Sequence, residues 1–309
     1  MLTNIILLII SFVALGVTAD LAVRNIKYLG VALKMRLFVF GIILGFITTL
    51  PELSLGLNAL IEEAPSLPIG NLLGGVMVIL GLVLGVSLIL NRKIITDGRL
   101  MKLIPTSLVI FSPILLGFDG RYDFQDGLLM VSFYFGLILY LYYSNHTRKK
   151  SAISLPHNRQ GIAQVIFLAL LGIVGILISS HWVVKITLDL LNQTPISRLV
   201  IGLIVFSLGT NLPEISITFV SWRKKASELS LSHLLSSAFS NVLILGILAS
   251  IQPLIFNVDL FFWSTAIFLG LILVMFTYFY HSEKKMDRQE GFILLATYLL
   301  FVLVNFWLL

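Results

Sequence analysis

The sequence predicts an all-α, polytopic membrane protein, and two observations carry that prediction. Hydrophobic residues make up 58% of the 309 positions and charged residues only 12%, which is about half of the charged fraction of a soluble domain. Apolar runs of about 20 residues, the length that crosses a bilayer core as a helix, recur along the whole chain. The sequence contains no Cys, which excludes disulfides, thiolate metal sites and cysteine nucleophiles.

Ten apolar segments are predicted to span the membrane, with short polar connections between them. Several contain Gly, Pro or hydroxyl side chains, which are common where helices pack against one another in lipid. The first segment lacks the basic region that opens a signal peptide, and we therefore expect it to be retained as a helix. The predicted spans are residues 4–23, 37–60, 68–90, 103–118, 125–143, 161–180, 199–221, 229–251, 260–280 and 291–308.

The positions of the basic residues predict the orientation of the chain. Of the 21 Lys and Arg residues, 18 fall in the connections that follow spans 1, 3, 5, 7 and 9, and the others are Arg121, Lys185 and Arg198. Basic connections remain in the cytoplasm, so we expect the N-terminus outside and the basic central loop, residues 144–160, in the cytoplasm of a cell membrane. The net charge of +6 is then an orientation signal, and no nucleic-acid partner is expected.

A sequence pattern occurs twice, once in span 2 and once in span 7. Residues 48–54 read TTLPELS and residues 210–216 read TNLPEIS, 162 positions later. The same ungapped offset aligns Arg36 with Arg198. Because each repeat would hold five spans, an odd number, the second copy enters the membrane from the opposite side. The sequence therefore predicts two inverted repeats, residues 1–143 and 161–309, joined by the linker 144–160, which is an architecture typical of secondary transporters.

Glu52 and Glu214 are the acidic residues that lie well inside predicted spans. A carboxylate at that depth costs at least about 2.5 to 3.5 kcal/mol, which a bound cation or protonation would offset. Each Glu follows a Pro, which leaves the carbonyl four residues before that Pro without its helical partner. Carboxylates, free carbonyls and the hydroxyls of Thr48, Thr49 and Thr210 are oxygen ligands that suit hard cations such as Ca²⁺ or Na⁺.

These residues resemble the sodium/calcium exchangers of the cation/calcium antiporter superfamily, over essentially the whole chain. The family motif Gly-Thr-Ser-Leu-Pro-Glu corresponds to residues 47–52 (ITTLPE) and 209–214 (GTNLPE), and a second motif, Gly-Asn-x-x-Gly-Ser-Asn, begins at Gly70 as GNLLG. The resemblance implies ion half-sites at 45–52 with 70–79 and at 207–214 with 232–241. The ligands that it implies are Glu52, Glu214, Thr48, Thr49, Thr210, Asn71, Ser237 and Asn241, with the carbonyls of Gly45 and Ser207 for Na⁺.

Three departures from the family pattern affect the predicted ion chemistry. Gly75 stands where the family has a ligating Ser, Ile79 stands where it has Asn or Asp, and Ser232-His233 replaces a Gly-Asn pair. Because Ile79 offers no ligand atom, separate Na⁺ sites beside the two carboxylates should be weakened, and proton coupling becomes more plausible.

The sequence therefore predicts a transporter rather than an enzyme, with small inorganic cations and the lipid bilayer as its partners. We interpret it as a secondary active antiporter that exchanges Ca²⁺ against Na⁺ or H⁺ without a covalent cofactor, plausibly as a monomer. Spans 1 and 6 would act as the gate, by analogy with the family. Two alternatives remain: an antiporter of monovalent cations, K⁺ or Na⁺ against H⁺, and a non-transporting protein whose ion site is structural or sensory.

Overall fold

The structure, a computed structural model, describes residues 2–32, 49–96, 98–144, 161–192, 197–212, 214–215 and 227–308. Within these ranges the chain is mostly helical. Seven helices are long and apolar enough to cross a membrane, and three shorter apolar helices accompany them. The helical, polytopic character predicted from composition is thereby confirmed, whereas all but the first residue of the predicted linker 144–160 lie outside the described residues.

Twelve α-helices run through the described part of the chain, and two of the connections between them are π-helical. The segment Val78–Val83 continues α3 into α4, and Gly202–Phe206 continues α8 into α9. The helices are α1 (Leu2–Ala32), α2 (Leu50–Ile61), α3 (Ser66–Met77), α4 (Leu84–Asn91), α5 (Leu100–Leu116), α6 (Phe124–Ser144), α7 (Ile162–Leu191), α8 (Arg198–Ile201), α9 (Ser207–Thr210), α10 (Ser227–Ile251), α11 (Leu260–His281) and α12 (Arg288–Trp307).

Helices α1 and α7 are longer than the predicted spans, which ended at residues 23 and 180. They continue to Ala32 and Leu191. Hydropathy detects where a helix leaves the apolar layer, whereas a helix ends only where its backbone hydrogen bonds end. In α1 the polar extension begins with an ion pair one turn apart, between Asp20 and Arg24, at 2.8 Å. Lys185, assigned above to a connection, therefore lies on a helix.

Within the part of the chain that the structure describes, four short strands, which hydropathy did not predict, join the connections in pairs. Strand β1 (Lys93–Ile95) pairs antiparallel with β4 (Lys285–Asp287), and β2 (Arg121–Tyr122) pairs with β3 (Leu254–Ile255). Such strands are too short to produce an alternating pattern. Their pairing places the connections after spans 3 and 9 on one side of the helical bundle, and it likewise places the connections after spans 4 and 8 together.

Helix α3 crosses the segment at 199–203 with almost no side chain between the two backbones. A Cβ atom on Gly70 would lie 2.8 Å from the backbone nitrogen of Leu203, and one on Gly74 would lie 2.8 Å from the Cα of Leu203. From the other side, a Cβ on Gly202 would lie 2.9 Å from the backbone nitrogen of Asn71. Small residues four apart permit this approach, so Gly70 and Gly74 form a close-packing surface on α3.

Helices α1 and α7 pair closely with each other and contribute to a hydrophobic cluster separate from the main core. A Cβ on Gly172 of α7 would lie 2.6 Å from the backbone nitrogen of Ala22 in α1. Phe12, Ala22 and Ile176 belong to this smaller cluster, whereas the larger one is built mainly from α3, α4, α10, α11 and α12. The long helices that were predicted as spans 1 and 6 therefore form a closely packed pair, and their shared cluster also contains Leu55 and Ala59 of α2.

Polar side chains also connect the pair of helices α1 and α7 to α2. The hydroxyls of Ser54 and Ser180 are hydrogen-bonded at 2.5 Å. The amide of Asn58 donates to the Ser180 hydroxyl at 3.0 Å. The interface between α2 and α7 is thus stabilised by hydrogen bonds between hydroxyl and amide groups as well as by apolar contacts.

Candidate functional site

Two carboxylates lie at the centre of the site. Glu52 lies in the first turn of α2, directly after Pro51, and is 6% exposed; Glu214 is 3% exposed. The N-terminal turn of a helix carries a partial positive charge that favours an acidic side chain there. The two carboxylates lie within electrostatic range of each other. In each of them Oε2 is buried and finds no hydrogen-bond partner among the described residues.

Ser237 of α10 fixes the orientation of one carboxylate. Its hydroxyl donates a hydrogen bond of 3.1 Å to Oε1 of Glu214. The other oxygen of Glu214, Oε2, is buried and lacks a hydrogen-bond partner within the described ranges. Ser237 is one of the ligands implied by the family resemblance, and in the structure it contacts Glu214.

Residues from both halves of the chain meet around these carboxylates. The hydroxyl of Thr210 donates to Oδ1 of Asn71 at 3.2 Å, and Nδ2 of Asn241 donates to the backbone carbonyl of Leu72 at 2.9 Å. The Nδ2 of Asn71 is buried and has no hydrogen-bond partner in the parts of the chain that are described. Residues predicted as members of two half-sites therefore share one polar centre within the apolar bundle.

Ser207, predicted to offer its carbonyl to Na⁺, already uses that carbonyl. Its backbone oxygen accepts a hydrogen bond of 2.7 Å from Nδ2 of Asn211, and its own hydroxyl donates to the carbonyl of Leu203 at 2.5 Å. Ser207 directly follows the π-helical segment Gly202–Phe206, a type of irregularity that is frequent at functional sites. A carbonyl has two lone pairs, so one of them remains for a further partner.

The remaining predicted residues fall into three groups. Thr49 is buried at the start of α2, where its carbonyl accepts from the backbone N–H of Leu53 at 3.0 Å. Ile79 is fully buried in the π-helical segment Val78–Val83, within the main core. Thr48 and Gly45 lie outside the described residues, and the side chains of Ser232 and His233 do as well.

Asn211 was not assigned a role by the sequence analysis, although it lies inside the site. It is 2% exposed, and its amide is close to Gly75 and to the carbonyl of Ser207. The sequence feature that could have indicated its role is that Asn211 stands in the place of the Ser in the family motif. Two residues before Asn211, Gly209 is covered by the ring of Phe12 from α1. Phe12 also packs edge-on against Phe206, at 5.7 Å between ring centroids.

Comparison with known protein families identifies this arrangement. The sodium/calcium exchanger protein family matches the chain over residues 3–143 and 164–307. The chain belongs to the sodium/calcium exchanger family. This membership confirms the resemblance that the motifs indicated, and it places the protein among membrane proteins that carry out ion transport by antiport.

Two relatives show how widely the similarity extends. The chain is 27% identical over 270 residues to an uncharacterised membrane protein of Methanocaldococcus jannaschii, covering 85% of each chain. It is 24% identical over 347 residues to the sodium/calcium exchanger MaX1 of Methanosarcina acetivorans, covering 99% of each chain. The similarity to MaX1 therefore covers nearly the whole of both proteins.

Two solved structures share the fold of this exchanger family member. The H⁺/Ca²⁺ exchanger CAX superimposes with a TM-score of 0.77 at 16% identity, covering 98% of this chain and 86% of that one. The sodium-calcium exchanger NCX_Mj superimposes with a TM-score of 0.65 at 20% identity, covering 96% of each chain. At these identities the likeness establishes the fold, which is that of a polytopic membrane exchanger.

Proposed function

We propose that this exchanger family member is a secondary active antiporter that exchanges Ca²⁺ against Na⁺ or H⁺ at Glu52 and Glu214. The observation that carries the proposal is a pair of buried carboxylates, each with one oxygen that has no hydrogen-bond partner among the described residues. Buried charges in proteins are paired or coordinate metals. Two carboxylates neutralise one divalent cation, or hold two protons in its place, and this competition couples the two ions.

Further oxygen ligands would come from both half-sites. Ca²⁺ takes six to eight oxygen ligands in flexible geometry, more than two carboxylates supply. A half-turn of the Asn71 carboxamide would direct Oδ1 toward the site and allow its N–H to donate to the Thr210 hydroxyl. The proposed ligand set is Glu52, Glu214, Thr48, Thr49, Thr210, Asn71, Ser237 and Asn241, with the carbonyls of Gly45 and Ser207.

We infer for the whole chain a topology of ten spans arranged as two inverted repeats, 1–143 and 161–309, with the N-terminus outside. The concentration of 18 of the 21 basic residues in alternate connections supports a cytoplasmic linker at 144–160 in a cell membrane. The paired strands β1 with β4 and β2 with β3 support the same alternation of sides. The contacts of Asn71 and Leu72 with Thr210 and Asn241 support a site shared by the two repeats.

Alternating access would come from movement of α1 and α7 against the rest of the bundle. These helices pack on each other through glycine, and they share a hydrophobic cluster distinct from the main core. Phe12 of α1 covers Gly209, so sliding of α1 would uncover the backbone beside Glu214. The hydrogen bonds among Ser54, Asn58 and Ser180 can exchange partners during such a movement.

Uptake measurements in liposomes test the proposed exchange. We expect purified protein to accumulate ⁴⁵Ca²⁺ when an outward Na⁺ gradient or an outward proton gradient is imposed, and to do so far less under a K⁺ gradient. Coupling to protons is expected to be the stronger, because Gly75 and Ile79 supply no ligands for a separate Na⁺. Movement of K⁺ or Na⁺ against H⁺ with no Ca²⁺ uptake would replace this proposal with monovalent exchange, and the absence of any flux would leave a structural or sensory site.

Replacing Ser237 with Ala is expected to weaken Ca²⁺ binding by about 10- to 100-fold, because the hydroxyl that orients Glu214 at 3.1 Å is lost. A single hydrogen bond to a charged group contributes about 1.5 to 3 kcal/mol. Isothermal titration with Ca²⁺ measures the change, and Ser237→Thr, which retains a hydroxyl, should restore most of the affinity. Ser250→Ala is the matched control on the same helix, because that hydroxyl donates only to the carbonyl of Gly246. Equal losses in both Ala variants would contradict the assigned role.

A further inference from the structure

Gly75 and Asn211 are two departures from the family motifs that the fold brings together. Gly75 stands in the place of a ligating Ser, and Asn211 stands in the place of the Ser in the Thr-Ser-Leu-Pro-Glu motif. A Cβ built on Gly75 would lie 3.2 Å from Nδ2 of Asn211 and 2.8 Å from Nδ2 of Asn241. Relative to the family motifs, position 75 has lost a hydroxymethyl group and position 211 carries a carboxamide. The two changes lie next to each other in the site.

The orientation of both amides is determined by their partners. Nδ2 of Asn211 donates to the carbonyl of Ser207 at 2.7 Å, and Nδ2 of Asn241 donates to the carbonyl of Leu72 at 2.9 Å. A backbone carbonyl only accepts hydrogen bonds, so the NH₂ group of each carboxamide must be the end that faces it. The space beside Gly75 is therefore bordered by two amide NH₂ groups.

The two NH₂ groups make the space beside Gly75 unfavourable for a bound metal ion. Cation sites in proteins are built from oxygen atoms, whereas amide N–H groups carry partial positive charge. Neither Gly75 nor the buried side chain of Ile79, one turn later, offers an oxygen. The carbonyl of Ser207 already accepts the Asn211 amide, which leaves it one lone pair for a further partner.

We propose that Asn211 is a specificity-determining residue, whose carboxamide fills the volume of the missing side chain at Gly75 and excludes Na⁺ from that side of the site. The inference rests on the proposed function and deepens it. The protein then exchanges its divalent cation at Glu52 and Glu214 without a Na⁺ bound beside Gly75. The two departures form a complementary pair, since a side chain at position 75 would press on the Asn211 amide at 3.2 Å as well as on the amide of Asn241 at 2.8 Å.

A double-mutant cycle tests the pair. The probes are ⁴⁵Ca²⁺ uptake into liposomes, with and without an outward Na⁺ gradient, and thermal unfolding in detergent. We expect Gly75→Ser alone to reduce uptake about tenfold or more and to lower Tm, because the new side chain meets both amides. The double variant with Asn211→Ser should recover part of both losses, as coupled neighbours do, while the amide of Asn241 still borders the new side chain. The double variant should also gain stimulation by Na⁺, which a merely structural role would not produce.

The control is Gly136→Ser, where a Cβ would meet no atom within 4 Å and where no change is expected. Identical effects of Gly75→Ser with and without Asn211→Ser, on both uptake and Tm, would overturn the pairing. Recovery of uptake without any gain in Na⁺ stimulation would overturn the role in specificity. If the unaltered protein transports no Ca²⁺, the proposed function fails, but the Tm cycle still reports whether the two positions are coupled.

Discussion

Replacing Glu52 or Glu214 with Gln is expected to abolish Ca²⁺ exchange, with a loss of more than about 100-fold. Changes to residues that merely support metal ligands already cost about 10- to 100-fold, and these carboxylates are the proposed ligands themselves. Gln keeps the size of Glu but removes one negative charge and introduces an N–H donor next to the cation. The measurement is ⁴⁵Ca²⁺ uptake by reconstituted protein, alongside titration with Ca²⁺.

A loss of fold would mimic this result, so stability is measured in parallel. Removing one of two neighbouring buried charges relieves repulsion, and we therefore expect the Tm of either variant without Ca²⁺ to equal or exceed that of the unaltered protein. Ca²⁺ should raise Tm only in the unaltered protein, since a ligand stabilises the state that binds it. Glu283→Gln is the matched control, because that side chain is 67% exposed and pairs only with Lys285 at the surface. Exchange at the normal rate in either Gln variant would refute the mechanism.

Replacing Gly70 with Val is expected to have the largest effect on stability. The Cβ of any residue at this position would overlap the backbone of Leu199 and lie 2.8 Å from the backbone nitrogen of Leu203. Because the obstacle is backbone, no change of rotamer relieves it, and overpacking of this kind costs about 1 to 3 kcal/mol or more. We expect a lower Tm in detergent and a reduced yield of monodisperse protein.

Gly136→Val is the control for this substitution. Gly136 lies on α6, and a Cβ there would meet nothing within 4 Å, so the same change of side chain should leave Tm almost unaltered. The comparison separates the effect of close helix packing from the effect of Val on helix formation. A similar fall in Tm for both variants would show that the crossing of α3 with residues 199–203 is not the cause.

The fold was predictable to a large extent because its main signals are local. Apolar runs of sufficient length predicted the spans, and the pair Pro51–Glu52 marked the point where α2 begins without any knowledge of contacts. The ends of α1 and α7 were missed, because charged residues such as Arg24 and Lys185 limited the predicted spans although both helices continue past them. The four short strands were missed because their pairing joins residues that are far apart in the chain, such as Lys93 and Asp287.

By itself the sequence determined that this is a membrane protein of the sodium/calcium exchanger family with two acidic residues placed deep in apolar segments. Composition and short motifs suffice for that, since each is a property of one stretch of chain. Only the tertiary structure decided which groups face one another: Ser237 with Glu214, Thr210 with Asn71, and Asn211 with Gly75. The contacts of Thr210 with Asn71 and of Asn211 with Gly75 join distant segments, and they depend on close approach of backbones at glycine, which no local pattern encodes.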